Sequence, residues 1–200
     1  ENRGWVMKDY ELLEFRSPKN PWNDDEVKYL RDELLPSLEV TRLRRYYNLF
    51  YCDKIGIPQG IPEFKAISEK LLNGAGDSTG VYSHYFMRYK HPSFVRRHAD
   101  NADEVSNTLI TLLQECEEGG ETIIYGVHRK DDYPWEDDSD VNRYNKGDDC
   151  IDDPIIPLVM KQSVGETLIY DRDVLHEVAQ VQKGERIVLV SWFKNEQRKN

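Results

Sequence analysis

Phe94-Val95-Arg96-Arg97-His98-Ala99-Asp100-Asn101 is the stretch whose reading decides the fold. In an extended strand, side chains two apart project from the same face. His98 and Asp100 can therefore offer an imidazole nitrogen and a carboxylate oxygen to one point in space. By the same alternation Arg96 shares the His98 face and is a candidate substrate contact, whereas Arg97 faces away. For both arginines a solvated surface role stands as the alternative. Near the C-terminus, Leu175-His176-Glu177-Val178 supplies a third candidate ligand. Ten residues after His176, Arg186 opens the run Arg186-Ile187-Val188-Leu189-Val190-Ser191-Trp192-Phe193. A charge at the head of so apolar a strand needs an anionic partner, because burying it alone is costly.

Taken alone, His98-x-Asp100 also fits two polar residues on a solvated strand edge. The downstream His176 and Arg186 shift the balance towards a metal site beside an anion site. Two His and one carboxylate on one side of a metal leave its other positions open, a donor set that suits non-haem iron. A guanidinium is planar and permanently charged, and it takes a carboxylate bidentately. A dicarboxylate could then span from the metal to Arg186. Apolar walls from Ile187, Val188 and Trp192 would exclude water and strengthen that pair.

The composition bounds these readings. Two hundred residues and 23.5 kDa suit one domain with ample core. The expected division is N-terminal support over residues 1–79 and a core over 80–193. A net charge of -10 and a pI near 5.0 argue against binding a phosphate backbone, so no nucleic-acid partner is expected. No apolar run is long enough for a bilayer, and no membrane partner is expected. Cys52, Cys116 and Cys150 are few and scattered, which fits a reducing compartment better than a disulfide framework. A cytoplasmic location is the expectation. Because the chain opens on Glu1, a removed targeting segment stays open. Oligomeric state is left undecided.

Along the chain, Gly4–Phe15 reads as a strand and 17–23, with Pro18 and Pro21, as a loop. Asn23 or Asp24 can cap a helix whose Val27, Leu30, Leu34 and Leu35 follow helical spacing, with Pro36 as its end. Arg45–Cys52 is aromatic-rich and reads as a strand. Pro62 opens a second helix, with Phe64, Ile67, Leu71 and Leu72 as its apolar stripe. From Gly80 on, eight short β-rich runs follow: Val81–Tyr89, Phe94–Asp100, Asn107–Leu113, Glu121–Tyr125, Ile155–Lys161, Glu166–Tyr170, Leu175–Val181 and Arg186–Phe193. Their spacing and intervening turn signals predict an all-β sandwich or barrel, with the helices packed outside it.

Residues 127–153 break this pattern, with almost no apolar periodicity and ten acidic residues. Such a length is either a solvated excursion or a functional segment. In the functional reading it is a lid over the metal. Tyr133 and Trp135 would touch substrate there, and the acids would favour a cationic one.

The order FVRRHADN, NTLITLL, GGETIIYG, GETLIYD, DRDVLHEV and KGERIVLVSWF resembles the double-stranded β-helix, or jelly-roll, domain of the prolyl 4-hydroxylase-like 2-oxoglutarate/Fe(II) dioxygenases. The resemblance covers roughly residues 80–193. It implies Fe(II) held by His98, Asp100 and His176, with 2-oxoglutarate chelating the iron and its far carboxylate on Arg186. Dioxygen takes the remaining position, and ascorbate is admitted as a further reductant. Tyr89 stands where such enzymes often direct a tyrosine at the co-substrate. Gly119-Gly120-Glu121-Thr122 matches the turn into a strand that walls the site. Related halogenases have Gly or Ala at position 100, so Asp100 implies a hydroxylase. One departure is Leu112, where several relatives carry a second aromatic hydroxyl. Thr108, on the same strand face, is a candidate to replace that hydrogen bond, or else an ordinary β-branched strand residue. His84 and His91 read as strand-surface or supporting residues.

The resemblance implies a hydroxylase acting on a C–H bond of a protein or peptide side chain, or of an amino acid-like molecule. A dioxygenase acting on a non-peptide small molecule is one alternative. A catalytically silent jelly-roll binding module is another.

Overall fold

A computed structural model of the chain describes residues 21–38, 41–42, 50–72, 74–75, 78–100, 105–127, 157–172 and 174–195. The readings of Gly4–Phe15, of most of Arg45–Cys52, and of the acidic run with Tyr133 and Trp135 lie outside these residues.

Two antiparallel sheets build the jelly roll, and every one of the eight predicted runs contributes a strand. The larger sheet has the order β1-β3-β4-β13-β6-β10. These are Thr41–Arg42, Asp53–Gly56, Gly80–Lys90, Glu185–Lys194, Asn107–Gln114 and Thr167–Asp171. The smaller sheet runs β2-β5-β11-β8-β9, namely Phe50–Tyr51, Phe94–His98, Val174–Val178, Thr122–Val127 and Leu158–Met160. A two-stranded ribbon pairs β7 (Glu118–Gly119) with β12 (Val181–Lys183). The predicted strand Leu175–Val181 is thus split between the smaller sheet and this ribbon.

The central strands of the larger sheet are apolar on both faces because both faces are covered. On β13, Ile187, Leu189 and Phe193 join a core with Trp22, Val27, Leu30, Leu34, Ile67 and Leu71 of the helical side. The alternate residues Val188 and Val190 join a second core with Tyr85, Met87, Tyr89, Val95, Ile124, Val174 and Val178. That second core lies between the two sheets, and the candidate site is set within it. One alternating strand therefore both anchors the helices and walls the site.

The helical layer follows its sequence signals with one exception. Asn23 caps α1 (Asp24–Tyr29) in a reciprocal capping box with Glu26, with both bonds at 2.9 Å. Pro36 does not end the helix. A π-helical turn over Leu30–Leu34 leads into α2 (Leu35–Ser37), whose first turn contains Pro36. The backbone stays helical through Leu34 and Leu35, so Pro36 lies in the last turn of a continuous helix that ends at Leu38. The second predicted helix is α3 (Pro62–Leu72). No described helix is long and apolar enough to cross a membrane.

His84 corrects a sequence reading. It is neither on the surface nor beside the metal ligands, but 2% exposed on the helix-facing side of the larger sheet. Its Nδ1 lies 2.8 Å from the Ser191 hydroxyl and its Nε2 2.9 Å from that of Ser68. Burial lowers its pKa to about 4. His91 is exposed, as read, and its Nδ1–H donates to the Val181 carbonyl at 3.1 Å. Cys52 and Cys116 are free thiols.

Candidate metal centre and its anion-binding end

His98 ends β5, Asp100 lies two residues beyond it, and His176 is the middle residue of β11. Strands β5 and β11 pair with His176 opposite His98. The ring centroids are 4.3 Å apart. One ligand atom from each of His98, Asp100 and His176 lies within 4.8 Å of the others. His98 Nε2 is 3.5 Å from Asp100 Oδ1, and His176 Nε2 is 3.9 Å from Asp100 Oδ2.

The protonation of both rings is fixed by what they touch. His98 Nδ1 lies 2.8 Å from the Arg96 carbonyl, and His176 Nδ1 lies 2.9 Å from the Val174 carbonyl. A carbonyl only accepts, so Nδ1 carries the proton in each ring and Nε2 presents its lone pair inward. This is the usual way a metal-binding histidine is oriented. Burial lowers the His176 pKa to about 4, and His98 beside it acts in the same direction, while Asp100 opposes them. Burial acts to raise the Asp100 pKa, but His176, His98 and the Thr108 hydroxyl outweigh it and hold it at about 2. At neutral pH His176 is thus a neutral imidazole and Asp100 a carboxylate.

A β-bulge explains where the arginines go. Val178 pairs with Val95 and His176 with His98, so β5 carries one extra residue between these pairs. Both Val95 and His98 consequently turn inward, which strict alternation forbids. Arg96 is therefore exposed, with its guanidinium 5.9 Å from the Phe94 ring, and it does not share the His98 face. Arg97 lies 3.8 Å over the Tyr125 ring, and Tyr125 donates to Glu177 at 2.6 Å.

Thr108 also departs from its expected role. Its hydroxyl is 1% exposed and donates to Asp100 Oδ2 at 2.6 Å. It is committed to the carboxylate rather than to Arg186, which stands six positions along β13 from Trp192, the residue opposite Thr108.

Arg186 is 4% exposed at the start of β13. Its Nη2 donates to the Thr122 hydroxyl at 2.8 Å, while Nη1 is buried without a hydrogen-bond partner among the described residues. Burial lowers its pKa, yet a guanidinium stays charged over any working pH. Tyr89 stands directly opposite on β4, its ring 5.4 Å from the guanidinium and its hydroxyl donating to Met87 Sδ at 3.3 Å. The glycines of the GGET turn make room for this arrangement. Gly120 has φ +73°, and a Cβ there would meet Cys116 Sγ at 2.7 Å and the Arg186 stem at 3.4 Å.

Four residues of this wall had no role in the sequence reading: Lys54, Tyr85, Thr122 and Tyr170. Tyr170 ends a predicted strand, and its ring lies 4.6 Å from that of His176, with its buried hydroxyl unpartnered. Only cross-strand register places it there: β10 pairs with β6 so that Tyr170 faces Thr108. Thr122 could have been found as the last residue of the GGET turn and the first of β8. Lys54 had no signal at all, because β3 was not recognised.

The family model of the 2OG-Fe(II) oxygenase superfamily matches residues 84–194. Among curated proteins none matches the sequence. A Pseudomonas putida prolyl-4-hydroxylase has a similar structure, with TM-score 0.63 and 15% identity over 94% of this chain and 96% of that one. HygX from Streptomyces hygroscopicus, with nickel and 2-oxoglutarate bound, gives TM-score 0.68 and 14% identity over 94% of this chain and 85% of that one. The viral collagen prolyl hydroxylase of Paramecium Bursaria Chlorella virus-1, a 2-oxoglutarate complex, gives 0.55 and 16% over 93% and 98%. At these identities the likeness establishes the fold.

Proposed function

Since the chain belongs to the 2OG-Fe(II) oxygenase superfamily, an Fe(II)- and 2-oxoglutarate-dependent dioxygenase class, we propose that it hydroxylates a C–H bond of a protein side chain or an amino acid-like molecule. The observation that carries the reading is the pairing of two features on facing sheets: the His98–Asp100–His176 set and the half-satisfied guanidinium of Arg186.

The residues fit both groups. Ligands about 2.1 Å from an ion on perpendicular axes lie about 3 Å apart. The separations of 3.5 and 3.9 Å therefore close with side-chain shifts of under about 1 Å. His98, Asp100 and His176 would hold iron. Arg186 would take the far carboxylate of 2-oxoglutarate on Nη1, while Thr122 fixes the guanidinium plane through Nη2. Bound together, iron and 2-oxoglutarate supply the oxidant: dioxygen gives one atom to succinate and one to the hydroxylated product, with release of carbon dioxide.

The chain's own part is binding, orientation and exclusion of water. The Val174 and Arg96 carbonyls hold the imidazoles by their Nδ1–H groups, so neither ring can turn its lone pair away. Thr108 neutralises one lone pair of Asp100 and fixes its rotamer. Val188, Val190, Ile110 and Leu112 line the space between the metal set and Arg186 and keep it apolar. In such surroundings a carboxylate–guanidinium pair is much stronger than in water.

The acidic run 127–153 supports a partner with positive charge, whether a basic peptide or an amino group. A reading with a non-peptide small molecule has its own support, since HygX with hygromycin B bound is among the similar structures. The test is succinate release from 2-oxoglutarate with Fe(II), across peptides, amino acids and hygromycin B. No succinate under any condition, with 2-oxoglutarate still bound, would leave only the silent binding module.

A further inference from the structure

The inner face of the larger sheet carries a second cation that the proposed chemistry leaves unused. Lys54, on β3, pairs with Met87 of β4. Its ammonium lies 3.8 Å over the centroid of the Tyr85 ring and 5.3 Å from that of Trp192. Ring faces position an ammonium well but satisfy none of its three N–H donors. Among the described residues the Lys54 ammonium has no ion pair and no hydrogen bond. Burial lowers its pKa, and Asp100 is the foremost influence in the opposite direction. Asp100 is already engaged by Thr108 and belongs to the metal set. On the same wall the indole N–H of Trp192 is buried and unpartnered. Among the described residues this end of the site thus offers two kinds of donor and no carboxylate outside the metal set, the other unpartnered polar atom being the Tyr170 hydroxyl, which can itself donate.

The place of Lys54 separates it from the co-substrate end. Tyr85, beneath its ammonium, stands opposite Val190, four positions along β13 from Arg186. Four residues span on the order of 13 Å in a strand. Trp192 stands opposite Thr108, whose hydroxyl touches Asp100. Lys54 and the indole N–H therefore sit at the metal's level, at the end remote from Arg186.

Resting on the function proposed above, we propose that Lys54 and Trp192 receive a carboxylate of the oxidised substrate. The substrate class would be molecules bearing a carboxylate within a few atoms of the hydroxylated carbon. A free amino acid and an acidic side chain in a peptide share this chemistry.

The test uses the full chain loaded with Ni(II) and 2-oxoglutarate, with binding followed by ligand-observed NMR so that turnover is not required. The probes are the L-amino acids against their carboxamides, and blocked peptides containing Asp or Glu against the same peptides with Asn or Gln. A charge-assisted contact predicts that at least one carboxylate binds roughly 10- to 100-fold tighter than its amide. That preference should vanish in Lys54→Gln and return in Lys54→Arg, while 2-oxoglutarate affinity moves less than about 3-fold, far below a charge-assisted contact. Preference among the amino acids identifies a free substrate, and among the peptides an acidic residue. Absence of any carboxylate preference, or its survival in Lys54→Gln, overturns the proposal. Loss of 2-oxoglutarate binding by the unmodified chain would instead overturn the function on which it rests.

Discussion

Thr108 donates its hydroxyl proton to Asp100 Oδ2 at 2.6 Å, from the opposite sheet to the strand that leads into Asp100. A carboxylate that must present one oxygen to a metal gains from having the other fixed. Thr108→Val keeps the shape and removes the donor, leaving a buried carboxylate one bond short. Losing such a supporting contact typically weakens metal binding roughly 10- to 100-fold. Metal titration should show that loss in Thr108→Val and recovery in Thr108→Ser. An unchanged affinity in the valine variant would mean that Asp100 is held by its own backbone.

Arg186 should govern 2-oxoglutarate and little else. Removing one half of a desolvated charge pair costs about 3–5 kcal/mol, so Arg186→Met should weaken 2-oxoglutarate binding by about 100-fold or more. The Michaelis constant for the primary substrate should move far less. Thr122→Val removes only the contact to Nη2, and roughly a 10-fold loss is expected. Equal loss of affinity for both substrates in Arg186→Met would show damage to the fold instead of a carboxylate contact.

Metal binding should appear as stability. An ion that binds only the folded state at 100 times its dissociation constant stabilises by about 2.7 kcal/mol. For a chain of 200 residues that raises the melting temperature by roughly 5–10 °C. Thermal melts with and without Ni(II) should show this shift in the unmodified chain and not in His98→Ala or His176→Ala. Both variants should still unfold cooperatively and should lack turnover. A shift that persists in His176→Ala would place the ion elsewhere.

How much of this was legible can be judged residue by residue. His98 and Asp100 were readable from their two-residue spacing, and His176 and Arg186 because each stands in an apolar run, where a polar group needs a reason. The eight-strand core was readable because alternation and turn residues are local signals. Arg96 was misplaced because a β-bulge changes the parity of a strand without any mark in the composition. Thr108 was assigned to the wrong partner because its neighbour is set by how the two sheets pack, not by spacing along the chain. Tyr170 and Lys54 depend on cross-strand register alone, the least local property of a sheet. His84 looked like a surface histidine because a tandem of hydroxyls from Ser68 and Ser191 is invisible until α3 docks.

That buried His84 gives the chain an acid-sensitive element independent of the metal. Its pKa is about 4 in the folded state against 6.5 when unfolded, because burial disfavours the charged ring. The unfolded chain therefore binds the proton first as pH falls, and protonation favours unfolding. The contribution of the neutral ring is complete above about pH 6.5, shrinks as pH falls towards 4, and is constant below that. A shift of this size corresponds to roughly 3 kcal/mol. His84→Gln retains a hydrogen-bonding side chain without a titrating group. Urea unfolding of metal-free protein between pH 7 and pH 4 should therefore show a steeper loss for the unmodified chain than for His84→Gln, by about 2–3 kcal/mol. His176 titrates in the same window, but it does so in both proteins, so their difference isolates His84. Parallel curves would mean that the Ser68–His84–Ser191 bridge tolerates the charged ring, and that acid sensitivity arises at the metal centre.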